Sequence, residues 1–213
     1  MKLNIVFLKS AKGFTKKEKR QIKNIIKNAT YHAAKFLNLR DSNIINFTVY
    51  RFCKNYIGAF TQAEDLIYIS IPRRKKINEK ELKSTIYHEI HHVKRGYFGY
   101  SKKKTSLFDA LFSEGLAIVF ALEKVPEYVP KWSKYTKKFI EKWLPRLRKE
   151  GLRRTDFSHD EWFWGKKGKP YQLGYKIGTY LVNQIKKHNH KLTAEKLVNK
   201  STKALLKLSK VKL

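Results

Sequence analysis

The chain has 213 residues, 42% of them hydrophobic, and its 48 Lys plus Arg against 17 Asp plus Glu leave a net charge of +31. That length accommodates one domain with a real core, and no run reaches the roughly 18–20 apolar residues of a bilayer span. The apolar start LNIVFL is too short for a signal-peptide core, and the single cysteine, Cys53, excludes an internal disulfide framework or a Cys-rich zinc knuckle.

The expectation is one α+β domain over 1–213, strand-rich to residue 77 and helical from 78, monomeric and cytoplasmic. Cys53 itself reads as a small buried hydrophobe near a strand end. Lysines are spread over every segment, with runs at Arg73 to Lys76, Lys102 to Lys104 and Lys166 to Lys169 in expected loops. A solvated lysine-biased surface accounts for them. The field it creates attracts nucleic acid or acidic surfaces weakly and without sequence preference.

In chain order, LNIVFLKS (Leu3 to Ser10) reads as a first strand. A Thr15-x-x-Glu18 capping box then opens a long helix to about Leu37. NFTVYRF (Asn46 to Phe52) and LIYISI (Leu66 to Ile71) are the next strands, rich in β-branched and aromatic residues and closed by Pro72. From Asn78, paired with Glu81 as a second cap, the pattern is helical, with breaks near Gly99, Pro126 to Pro130, Gly151 and Gly165 to Pro170. SHDEWFWG (Ser158 to Gly165) reads as a loop that brings His159 together with Trp162 and Trp164. AEKLVNKSTKALLKLSKVKL, from Ala194, reads as one basic amphipathic final helix.

The helix after Asn78 contains YHEIHHV, three of the chain's seven histidines. At 100° per residue His88 and His92 fall about 40° apart on one face, flanked by Thr85 and Glu89. Leu82, Ile86, Ile90, Val93 and Tyr97 form a separate apolar stripe, and His91 points elsewhere, about 100° from His92. H-E-x-x-H places two zinc ligands one turn apart, with the glutamate as general base. The next helix, Thr105 to Glu123, is apolar nearly all the way round, with one acid, Glu114, in its middle. A carboxylate among Leu107, Ala110, Leu111 and Ile118 costs several kcal/mol unless paired or bound to a metal. A metal is the natural partner; a buried salt bridge to a lysine or a kink at Ser113 to Gly115 are the alternatives. Gly115 and Ala117 remove bulk, which suits a close approach to the histidine helix. Two histidines and a glutamate around Zn2+ leave a fourth position for water, whose pKa falls to roughly 7 and which Glu89 can deprotonate. That chemistry hydrolyses amides.

HEIHH followed by the Glu114 of SEGLA resembles the gluzincin group of zinc metallopeptidases. More closely, it is similar to a bacterial family of predicted zinc-dependent proteases that combines HExxH with a downstream EGLA and a glycine-tyrosine helix. The likeness covers about Ile57 to Val182. It implies a zincin-like fold, His88, His92 and Glu114 as ligands, Glu89 as base, and a peptide or protein substrate. It also implies a substrate-binding edge strand before the active helix, at LIYISI. The metzincin pattern does not fit, because Arg95 and Phe98 occupy its glycine and third-histidine places. Ile118 stands where many gluzincins carry an aspartate that orients a ligand. For the oxyanion, YQLGYKIGTYLV offers Tyr175, set between Gly174 and Gly178, with His159 as its rival. The alternative in another class is a basic nucleic-acid-binding protein with a structural or inactive zinc site.

Overall fold

The computed structural model describes residues 1–9, 13–40, 42–52, 55–73, 76–99, 105–151 and 158–212. Cys53 and the run Lys102 to Lys104 lie outside them, as do Ser10, Arg74 and Lys75. The fold is α+β, and the chain divides into two compact units, Met1–Ser101 with Ala121–Tyr128, and Lys102–Phe120 with Val129–Leu213.

The first unit holds a mixed sheet built from β1 (Lys2–Phe7), β2 (Ile44–Phe52), β3 (Gly58–Ala63) and β4 (Leu66–Pro72), in the order β1-β2-β4-β3. β1 and β4 both run parallel to β2, and β3 is antiparallel to β4. β3 was not expected: GAFTQA alternates weakly and begins on glycine, so it carries little strand signal. Its presence overturns the expected place of the edge strand. β4 is paired on both sides, and the sheet edge next to it is β3. Alternation along β2 buries Ile45, Phe47 and Val49, and β4 adds Ile67, Ile69 and Ile71.

Helix α1 (Lys16–Leu37) starts on the expected capping box, Thr15 with Glu18, and contributes Ile22, Ile26, Ala29 and Ala33 to this core. Glu18 also pairs with Arg51 of β2. Arg51, buried, donates a second hydrogen bond to the carbonyl of Pro72 at 2.6 Å, so one guanidinium ties α1, β2 and β4 together. Helix α2 (Glu79–Arg95) contacts α1, and His32 Nδ1 lies 2.8 Å from the Tyr87 hydroxyl.

The second unit is helical, with α3 (Leu107–Lys124) entering it, then α4 (Lys137–Gly151), α5 (His159–Trp164), α6 (Leu173–His188), α7 (Ala194–Leu197) and α8 (Thr202–Ser209). Two expectations change here. SHDEWFWG is a short helix and not a loop, because the Ser158 side chain caps it by accepting from the Glu161 amide. The final segment is two helices, since Ser201 caps a new start at α8 instead of continuing the old helix.

In the third lysine run Lys166 and Lys167 are exposed as expected, but Lys169 is not. The Lys169 side chain is 1% exposed and lies 3.0 Å from Glu150 and 2.9 Å from Glu161, while Lys167 pairs with Glu161 at 2.6 Å and Lys166 pairs with Asp160. Lys167, then Lys169, hold the Glu161 carboxyl down to about 2 from its ordinary 4.5. A carboxyl depressed in the fold stabilises fully above its unfolded pKa, and that contribution fades as pH falls from about 4.5 towards 2. Lys169→Met takes away the buried cation that Glu150 and Glu161 share, and should lower Tm at pH 7. In a melting series the difference from wild type should shrink steadily below pH 4.5; a pH-independent difference would mean that the pairing is not its source.

Among the described residues no helix is long and apolar enough to cross a membrane.

Candidate metal centre

Caps fix α2 so that its histidines fall on its last two turns. The Asn78 side chain accepts from the Glu81 amide at 3.2 Å, and Gly96, at φ 71°, ends the helix in the left-handed region that glycine adopts freely. His88, Glu89, His91 and His92 are all buried, and every residue from Ile86 to Val93 is buried with them. The polar face inferred from the sequence is thus a buried polar face. The Nε2 atoms of His88 and His92 lie 3.0 Å apart. Two ring nitrogens that converge this closely need a proton or a cation between them, and both can lie within 2.0–2.1 Å of one zinc ion. The His92 ring is flanked by Tyr97, 5.2 Å between centroids. Glu89 is held from β3: the Thr61 hydroxyl is 2.8 Å from Glu89 Oε2 and 3.1 Å from its main-chain oxygen. Sequence reasoning missed Thr61 because it missed the strand that carries it.

Glu114 sits in the buried middle of α3, 7% exposed. Gly115 beside it opens a close helix approach to α6. A Cβ on Gly115 would lie 2.3 Å from the Gly178 carbonyl oxygen, and one on Gly178 would lie 2.2 Å from that of Leu111. The α3 and α6 backbones therefore touch, and the glycines place Glu114 by setting that contact. Gly178→Ala should force the helices apart. Overpacking of this kind costs about 1–3 kcal/mol, and backbone contact puts it at the upper end, a fall in Tm of about 6–12 °C. An unchanged melting curve would show that the contact is not tight.

The two oxyanion candidates share a neighbour. The His159 ring stacks on Phe163 at 4.4 Å, and Tyr175 meets Phe163 edge-on at 4.9 Å and Trp132 at 5.1 Å. Burial lowers the His159 pKa, partly offset by the charges of Glu114 and Asp160. Its neutral imidazole and the Tyr175 phenol are both potential hydrogen-bond donors.

One buried group among the described residues has the composition of a metal site: His88, His92 and Glu114, whose potential ligand atoms lie within 4.8 Å of one another. Two imidazoles and one carboxylate fit zinc, a borderline ion that takes nitrogen and oxygen together. His91, fully buried, is outside that group.

No curated protein matches the chain. Residues 22–207, most of its length, match the family DUF2268, described as predicted Zn-dependent protease. A chain carrying a buried His-His-Glu cluster suited to zinc, matched along most of its length, belongs to this family of predicted Zn-dependent proteases.

Proposed function

We propose that the protein is a gluzincin-type zinc peptidase in which His88, His92 and Glu114 hold the ion and Glu89 is the general base. The observation that carries this reading is the buried cluster of two imidazoles and a carboxylate, on the motif that also supplies Glu89. Zinc held there polarises a carbonyl and makes water a nucleophile near neutral pH. The protein's own residues do the rest. Glu89 takes the proton of the attacking water and returns it to the departing amine, the two duties of a single carboxylate near pH 7. Tyr175 or His159 donates a hydrogen bond to the developing oxyanion.

The substrate backbone aligns along β3, the strand that stands at the edge in place of LIYISI. The Thr61 carbonyl accepts from the Gly99 amide at 2.9 Å, so Thr61 directs its backbone groups away from β4. By the two-residue period of an antiparallel ladder Ala59 does the same, and its amide and carbonyl can pair with an extended peptide. A net charge of +31 favours acidic peptides.

Purified protein incubated with a mixed peptide library should cleave it, lose the activity to a chelator, and regain it with zinc alone. Cleavage that survives removal of all metal would refute the reading.

A further inference from the structure

We infer that Thr61 is the positioning residue of the general base, fixing the Glu89 carboxylate from the sheet edge. The inference rests on the peptidase reading above and adds a residue that the zinc-ligand motif does not contain. Thr61 is 5% exposed and Glu89 is 4% exposed, so water does not compete freely for the contact. The threonine hydroxyl has one hydrogen and two acceptors within reach, Oε2 at 2.8 Å and the main-chain oxygen at 3.1 Å, both on Glu89. Whichever accepts, the same residue is gripped.

The grip is stiff because its base is stiff. Thr61 is β-branched, which restricts its side chain to few rotamers. The strand that carries it is laddered to β4, where Thr61 stands opposite Ile67, and its own carbonyl accepts from the Gly99 amide on the other side. With Oε2 occupied, the carboxylate is oriented to present Oε1 to the proton it must take. A base misaligned by even an ångström loses much of its effect. The strand proposed to align substrate and the hydroxyl that orients the base thus belong to one residue run, Gly58–Ala63. A shift of β3 would move both together.

The test compares Thr61→Val, which keeps the shape and removes the hydroxyl, with Thr61→Ser, which keeps the hydroxyl, both in the full chain. Measured quantities are kcat and KM on a peptide that the wild type cleaves, zinc content, Tm, and the Glu89 side-chain position in a crystal structure of Thr61→Val. Loss of a partner that orients a catalytic group costs about 10–100-fold. We expect Thr61→Val to lose that much kcat with KM nearly unchanged and zinc content equal to wild type, with Glu89 turned from its wild-type position. Thr61→Ser should restore most of the rate. Wild-type kcat in Thr61→Val would overturn the inference. So would equal losses in Val and Ser that track Tm, which is what a purely structural threonine gives. A wild type without zinc-dependent cleavage overturns the peptidase reading and the inference with it, whereas a failure confined to the Thr61 variants leaves that reading standing.

Discussion

Replacing Glu89 with Gln should abolish peptide cleavage while zinc stays bound. The substitution keeps the shape and can still accept from Thr61, 2.8 Å away in the wild type, but an amide cannot take a proton from water at neutral pH. A general base contributes about 10²–10⁴-fold, and the loss should appear in kcat and kcat/KM alike, because the proton is moved only in the transition state. Zinc content should match wild type, since Glu89 lies outside the cluster of His88, His92 and Glu114. Retained activity would remove Glu89 from the chemistry, and loss of metal would make it a ligand.

His92→Ala should empty the site. Removing one of two convergent imidazoles, 3.0 Å apart at Nε2, leaves a histidine and a carboxylate. The loss in zinc affinity should exceed the 10–100-fold of an outer partner. Stability offers a readout independent of activity. Zinc at about 100 times its Kd stabilises the wild type by about 2.7 kcal/mol, a rise in Tm of about 5–11 °C. His92→Ala should show no such rise at the same zinc concentration. A full zinc-dependent shift in the variant would mean that the ion binds elsewhere. His91 is the internal control: although equally buried, it stands outside the cluster, and His91→Ala should bind zinc as the wild type does.

The parts of the fold legible in the sequence are those written locally. Thr15 with Glu18 and Asn78 with Glu81 mark helix starts through side-chain bonds three residues long, and both caps are present. His88 and His92 converge because four residues make one helical turn, and Glu114 stood out as an acid in an apolar helix. Features that depend on distant partners were illegible. β3 has little strand propensity and exists because β4 offers it a ladder, so the edge was assigned to the wrong strand. Gly115 announces a close approach but cannot name its partner, which is Gly178, 63 positions later in the chain. Lys169 looked like one more solvated lysine in KKGK, and only the arrival of Glu150 and Glu161 beside it explains its burial. Thr61 had no signal at all, since a hydroxyl acquires meaning from the carboxylate it meets.

The most direct measurement of the central claim is anomalous X-ray scattering from crystals of the zinc-loaded protein, collected on both sides of the zinc absorption edge. The account predicts one strong peak, present above the edge and absent below it, within about 2.0–2.2 Å of His88 Nε2, His92 Nε2 and a Glu114 carboxylate oxygen. A peak that involves His91 in place of either histidine, or one that leaves Glu114 out of reach, would contradict it.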